Sequence, residues 1–211
     1  MRIFSPIDRI IDQADQTLKA VFVRTPPDPY PETIPRGENE LTVAQRTLGA
    51  RLMRVNHAGE VAAQALYQGH ALWAADARVH EAMRSAGRDE LSHLHWTSTR
   101  LKELQSHRSY LTPLWYMGSF AIGVGTALFG DKISLGFVAE TERQVVAHLQ
   151  GHLAQLPQAD QRSRAILERM VTDEARHATQ AMEAGGQPLP APVRLAMRLT
   201  AKLMTKTAFW I

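Results

Sequence analysis

Apolar residues recur three and four positions apart along most of the chain and nowhere alternate for long enough to build a sheet, so the pattern predicts an all-α protein. Ser5 and Pro6 read as an N-cap followed by proline at the first helical position, and Ile7, Ile10, Ile11, Ala14 and Leu18 follow at helical spacing, a short amphipathic helix. Residues 25–40, TPPDPYPETIPRGENE, hold five of the eleven prolines and read as an extended tether. Thr42 with Gln45 fits a capping box, and the proline-free run after it predicts a long helix to about residue 74. Further helices are predicted over about 78–107, about 134–156 with Pro157 as the stop, and about 160–184 with Gly185, Gly186 and Pro188 as the stop. A last helix covers 192–211. The chain thus divides into an N-terminal helix and tether (1–40), a bundle (41–187) and a C-terminal basic amphipathic helix (188–211).

One stretch departs from this pattern. Leu111 to Gly130 carries no charge over twenty residues, the least that spans a bilayer. Pro113, four glycines and three aromatics near its start favour a re-entrant or interfacial segment at least as much as a crossing helix. In the tail, Arg194, Arg198, Lys202 and Lys206 recur every four residues beside Leu195, Leu199, Leu203, Phe209 and Trp210, a pattern suited to an anionic membrane surface or to ordinary helix docking.

At 211 residues the chain is long enough for one domain with a real core. It has no cysteine, which excludes disulfides, thiolate zinc sites, iron–sulfur clusters and thiol nucleophiles, so any metal must be held by carboxylates and imidazoles. A net charge of +3 is too slight to argue for nucleic acid. Asp8, Asp12 and Asp15 stand where a signal peptide needs an apolar run, so the protein is expected to be made and kept inside the cell.

Two stretches read Asp-Glu-x-x-His: Asp89, Glu90, His93 and Asp173, Glu174, His177. A Glu and a His three apart on a helix share a face, so both can reach one metal centre. One Glu-x-x-His is expected about half the time by chance in such a composition, but each copy with the leading Asp has odds of only about 0.02, and two copies together point to ligands. A bundle metal site needs two further carboxylates. Glu60 lies on a small, mostly apolar face with Ala63, Gln64, Tyr67 and Ala71, where an unpaired acid would be costly. On the third helix of the bundle Glu142 shares its stripe with Val138, Val145, Val146 and Leu149, whereas Glu140 has Arg143, Gln144 and Ala147, so Glu142 is the one expected to point inward.

Spacing supports the set. Glu60 and Glu90 are thirty residues apart and Glu142 and Glu174 thirty-two, so hairpins turning near 75 and 158 bring all four to one level, about 23 Å from each turn. The halves form a pseudo-repeat joined by the apolar stretch, a ferritin-like four-helix bundle with metal ligands Glu60, Glu90, His93, Glu142, Glu174 and His177. Four carboxylates and two imidazoles suit two iron ions, with manganese next. Glu90 and Glu174 are best placed to bridge, with Glu60 and His93 completing one ion and Glu142 and His177 the other. Asp89 and Asp173, one turn before the histidines, either take an imidazole N–H or stand in solvent. Tyr67, seven after Glu60, reads as core packing.

The segments RVNHAGEVAAQALYQGH, DELSHL, GFVAETERQVVAHL and TDEARHA resemble the demethoxyubiquinone hydroxylase family, di-iron monooxygenases of ubiquinone biosynthesis. The resemblance covers about residues 50–184 and assigns the same six residues to iron. It implies hydroxylation of the ring of a polyprenyl methoxy-methyl-benzoquinol with O2. A substrate that lives in the bilayer implies peripheral binding to membrane lipid at the cytoplasmic face of the bacterial inner membrane, with a lipid-carrying protein partner or a homo-oligomer as further uses of the apolar surface. His57 and His148 resemble residues near the family's centre and read by themselves as structural histidines. The competing readings are another ferritin-like di-iron oxidase or iron-oxidising protein, and a non-enzymatic membrane-associated helical scaffold whose carboxylates are merely paired.

Overall fold

The computed structural model describes residues 30–35, 40–74 and 76–211, together with residues 15, 17 and 18. The N-terminal helix expected from Ser5 to Leu18 lies outside the described residues except at Asp15, Thr17 and Leu18. Among the described residues there is no strand, in keeping with the absence of alternation in the sequence. The helices are α1 (Val43–Trp73), α2 (Ala77–Glu103), α3 (Thr112–Ala127), α4 (Asp131–Gln155), α5 (Gln161–Glu183) and α6 (Ala191–Ala208). Packing of α1 on α2 and of α4 on α5 makes two hairpins, and contacts between α1 and α4 and between α2 and α5 close a four-helix, ferritin-like bundle.

Local chemistry sets the helix ends. Thr42 Oγ1 accepts from Gln45 N–H while the Gln45 side chain accepts from Thr42 N–H, the reciprocal box read from the sequence. Asp160 caps α5 by accepting from Ser163 N–H. Helix α2 stops at Glu103, four residues short of expectation. Gln105 there takes a left-handed conformation at φ 56°, and Ser106 N–H reaches back to Leu101 C=O, a helix-ending turn made without the glycine that normally announces it.

The charge-free stretch is a sixteen-residue helix, α3, about 24 Å long. Among the described residues no helix is long and apolar enough to cross a membrane. The proline and glycines that counted against a crossing helix here are used in building this shorter one. Pro113 occupies its first turn, where its missing N–H has no helical partner to lose. Gly123 crosses α1 at Gly69 so closely that a Cβ on Gly123 would sit 2.5 Å from Leu66 C=O, and one on Gly69 2.5 Å from Phe120 C=O.

The proline-rich stretch is not an open tether where it is described. Tyr30 and Ile34 are buried in the bundle's core, and Arg162 donates to Pro35 C=O at 3.0 Å. Two apolar clusters fill the bundle. One, around Leu52, Met53, Leu101, Ile166 and Met170, packs the half containing the C-terminal end of α2. The other, around Ala63, Met83, Leu135, Val138 and Ala181, packs the opposite half. In sequence the predicted ligands fall between the members of these clusters on each helix.

Candidate metal centre

Each ligand candidate sits near the middle of a helix whose ends are fixed by the caps above, so its level in the bundle is set by chain length. Glu60 comes from α1, Glu90 and His93 from α2, Glu142 from α4, and Glu174 and His177 from α5. All six are buried, none more than 3% exposed. Glu60, Glu90, His93 and Glu174 form the tightest group, with one ligand atom of each within 4.8 Å of all the others.

The imidazoles organise the centre. His93 Nδ1 lies 2.9 Å from Glu174 Oε1, 3.3 Å from Glu60 Oε2 and 3.7 Å from Glu90 Oε2. His177 Nδ1 lies 3.0 Å from Glu174 Oε2 and 3.5 Å from Glu90 Oε1. Glu90 and Glu174 therefore each turn one oxygen to His93 and the other to His177. Glu142 stands outside the tightest group. Tyr67 O–H donates to its Oε1 at 2.7 Å, while its Oε2 has no partner.

Among the described residues five carboxylate oxygens of this cluster are buried without a well-directed hydrogen bond: Glu60 Oε2, both oxygens of Glu90 and Glu174 Oε1, which each face an imidazole nitrogen at 2.9 to 3.7 Å, and Glu142 Oε2, which faces none. Unsatisfied buried anions are expensive, and converging ones more so. Burial pushes the Glu60 carboxyl well above its ordinary range and Glu90 adds to this, while burial does the same to Glu142 with help from Glu174 and Glu90. Burial opposes charge on the histidines too, but hydrogen bonds to Glu174 and Glu90 win at His177, raising it to about 11, and those to Asp173 first and then the glutamates raise His93 well above its ordinary value. Oxygen and nitrogen donors of this kind, buried and orphaned around one point, fit two borderline divalent ions.

The outer aspartates are exchanged between helices. His93 Nε2 faces Asp173 Oδ2 at 3.4 Å and His177 Nε2 faces Asp89 Oδ2 at 3.1 Å, so each imidazole is held by the aspartate of the other motif. Asp89 is both 43% exposed to solvent and an acceptor for His177 Nε2–H. Tyr67 belongs to this site as well as to the core. Its position two helical turns after Glu60 was the sequence signal, since that spacing keeps it on the ligand face.

His57 is fully buried with neither ring nitrogen hydrogen-bonded, and burial, aided by Arg108, holds it neutral with a pKa lowered to about 3. His148 packs on His152, their ring centroids 3.9 Å apart, and lines a separate cleft with Lys202 and Trp210. A second cavity, of about 290 Å³, reaches His177 and Tyr67 from the surface between Met83, Ala86, Leu135, Val138 and Ala181. Its walls are mostly apolar.

Residues 47–208 match the family of the ubiquinone biosynthesis protein COQ7. A Nitrosospira multiformis protein named 3-demethoxyubiquinol 3-hydroxylase is 51% identical over 209 residues, covering 97% of this chain and 99% of that one. Proteins of the same name from Nitrosomonas europaea and Burkholderia multivorans are each 50% identical over 208 residues, again covering 97% of this chain and 99% of theirs.

Proposed function

The chain belongs to the COQ7 family of ubiquinone biosynthesis proteins, and from that premise we propose that its buried acids and imidazoles hold two iron ions that hydroxylate the ring of a polyprenyl demethoxyubiquinol. It is a hydroxylase of ubiquinone biosynthesis, acting on a quinol with O2, and its family is one of di-iron enzymes. The observation that carries the metal assignment is the convergence of four buried glutamates on two imidazoles with more acids than the imidazoles can neutralise. Glu60 and His93 would hold one ion, Glu142 and His177 the other, and Glu90 and Glu174 would bridge, since each already divides its two oxygens between the imidazoles. Bound there as a ferrous pair, iron would supply two of the four electrons that O2 takes up, the ring that is hydroxylated giving the other two.

The rest of the work falls to the chain. Val138, Leu135 and Ala181 give the quinol ring an apolar path to the cluster and limit water around it. Tyr67 holds Glu142 by one oxygen and leaves the other for metal. A scaffold of merely paired carboxylates would not leave Glu142 Oε2 buried with no partner among the described residues, and an iron-storage role has no use for an apolar path to the centre. We further place the enzyme peripherally on the cytoplasmic face of the inner membrane. Supporting this, α3 exposes Leu114, Met117 and Ile122, and α6 exposes Leu195, Leu199 and Leu203 beside its basic stripe.

Anaerobic loading with ferrous iron should give about two irons per chain, and expression should restore ubiquinone in a strain lacking this hydroxylation. Protein that takes no iron and restores nothing overturns the assignment. Failure to float with anionic liposomes overturns the membrane placement alone.

A further inference from the structure

The two Asp-Glu-x-x-His motifs are equivalent in their ligands but not in what surrounds them. Arg176, between Glu174 and His177, sends Nη2 to both outer aspartates, 3.3 Å from Asp89 Oδ2 and 3.2 Å from Asp173 Oδ1. Arg169, one turn before Asp173, donates to Asp173 Oδ2 at 2.9 Å. Both guanidinium groups come from α5. At the matching positions of the first motif the chain has Ser92 and Ser85.

Charge counting shows what this does. Four glutamates would be balanced by two divalent ions, leaving Asp89 and Asp173 to be balanced by Arg169 and Arg176. The balance is uneven. Asp173, 7% exposed, is held by both arginines, while Asp89, 43% exposed, has only Arg176 and His177 as polar partners among the described residues. An aspartate that freely rotates into water cannot fix an imidazole, and an aspartate with no counter-charge near metal is drawn toward it. Arg176 prevents both for Asp89, whereas Asp173 keeps Arg169 if Arg176 is lost.

We propose that Arg176 is a positioning residue that ties the two outer aspartates together and governs the metal position of His177 far more than that of His93. This rests on the metal-centre reading above. The consequence is two unequal iron positions in a site whose ligands repeat symmetrically. The unequal one is also where the 290 Å³ cavity arrives, because Asp89, Arg176 and His177 all line it.

The test is anaerobic ferrous titration of full-length, iron-free wild type, Arg176→Gln, Arg176→Lys and Arg169→Gln, with iron-57 Mössbauer spectra of each loaded protein. Arg176→Gln should weaken one of the two sites about 10- to 100-fold and shift one quadrupole doublet, leaving the other site within about threefold. The doublet that shifts should be the one lost in His177→Ala. Arg169→Gln should act on the other doublet and more weakly, because Asp173 retains Arg176. Lysine at 176 should recover only part of the loss, since a compact ammonium cannot serve two carboxylates as a planar fork does. Arg176 is half exposed, so the variants should fold, which thermal unfolding of the iron-free proteins checks; the lysine variant carries the test if glutamine does not fold. Unchanged affinities and spectra in Arg176→Gln, or equal weakening of both sites, overturn the proposal while leaving the metal centre standing. Wild type that binds no iron overturns both.

Discussion

Replacing Glu60 with glutamine separates what this side chain costs the fold from what it does for metal. In iron-free protein, burial and then the neighbouring Glu90 push the Glu60 carboxyl well above its ordinary value of 4.5, and the opposing pull of His93 does not prevent it. A carboxyl that holds its proton to a higher pH in the fold than in the unfolded chain lowers stability above the unfolded pKa. At about 1.4 kcal/mol per pH unit between the unfolded pKa and neutrality, the ceiling on this cost at pH 7 is about 3 kcal/mol. The sign follows from linkage: the cost is absent below pH 4.5 and grows as the pH rises toward the folded pKa. Glutamine keeps the shape and removes the titration. Iron-free Glu60→Gln should therefore be more stable than wild type by up to about 3 kcal/mol at pH 7, and no more stable at pH 4, by urea unfolding followed by circular dichroism. The same variant should hold less iron, because an amide is a poor substitute for an anionic ligand. Should the iron-free variant show no advantage at pH 7, or the same advantage at pH 4, the argument from uncompensated buried acids is wrong.

Other substitutions test other parts of the molecule. Glu142→Ala should reduce iron occupancy and hydroxylation together, whereas Glu140→Ala should spare both, because Glu140 only accepts from Gln144 of its own helix at 2.8 Å; equal losses would refute the facing of α4. Gly123→Ala should cost about 1–3 kcal/mol, read as a lowered Tm, because the backbone of α1 stands where the new methyl would go. His70, fully buried among α1, α3 and α4, is kept neutral by burial with a pKa lowered to about 3. Its stabilising neutrality is intact above the ordinary 6.5 and is lost as the pH falls toward 3. Wild type should thus lose about 2 kcal/mol between pH 7.5 and 5 that His70→Gln does not, and parallel losses by urea unfolding would exclude this burial effect.

What could be read in advance was whatever depends on distance along the chain. The levels of Glu60, Glu90, Glu142 and Glu174 follow from residues per turn of the hairpins, and the ends at Thr42, Asp160 and Gly185 follow from capping chemistry. What escaped depends on how the helices are rotated against one another. Asp89 and Asp173 could be placed near the imidazoles by spacing, but which aspartate meets which histidine is decided by the facing of α2 and α5. Tyr67 looked like packing because an aromatic on an inner face usually is, and only the approach of α4 supplies its acceptor. The glycines and proline of the apolar stretch carried two meanings, helix breaking and close helix crossing. Composition cannot choose between these; the contact with Gly69 does. Gln105 took the left-handed turn that a glycine would have advertised, so the second helix was read too long.

The repeat and its exceptions carry a common physical logic. Six ligands in two matched halves, taken alone, would build two equal metal positions. The halves differ where the repeat would place the same residue twice: Tyr67 follows Glu60 by seven positions, while Leu149 follows Glu142 by seven, and Arg176 answers Ser92. Tyr67 does not hold the glutamate of its own half but donates to Glu142, and Arg176 holds the aspartate that fixes His177. Both exceptions therefore act on the same side of the cluster, the side of Glu142 and His177. Tyr67, Arg176 and His177 line the apolar cavity as well, whereas Leu149 lies in the opposite core. A symmetric cage is sufficient to bind two ions, but a ring that must be oxidised at one position has to arrive at one of them. The polar asymmetry gathers where the apolar cavity reaches the cluster, as the proposed hydroxylation of one ring position requires and a storage role does not.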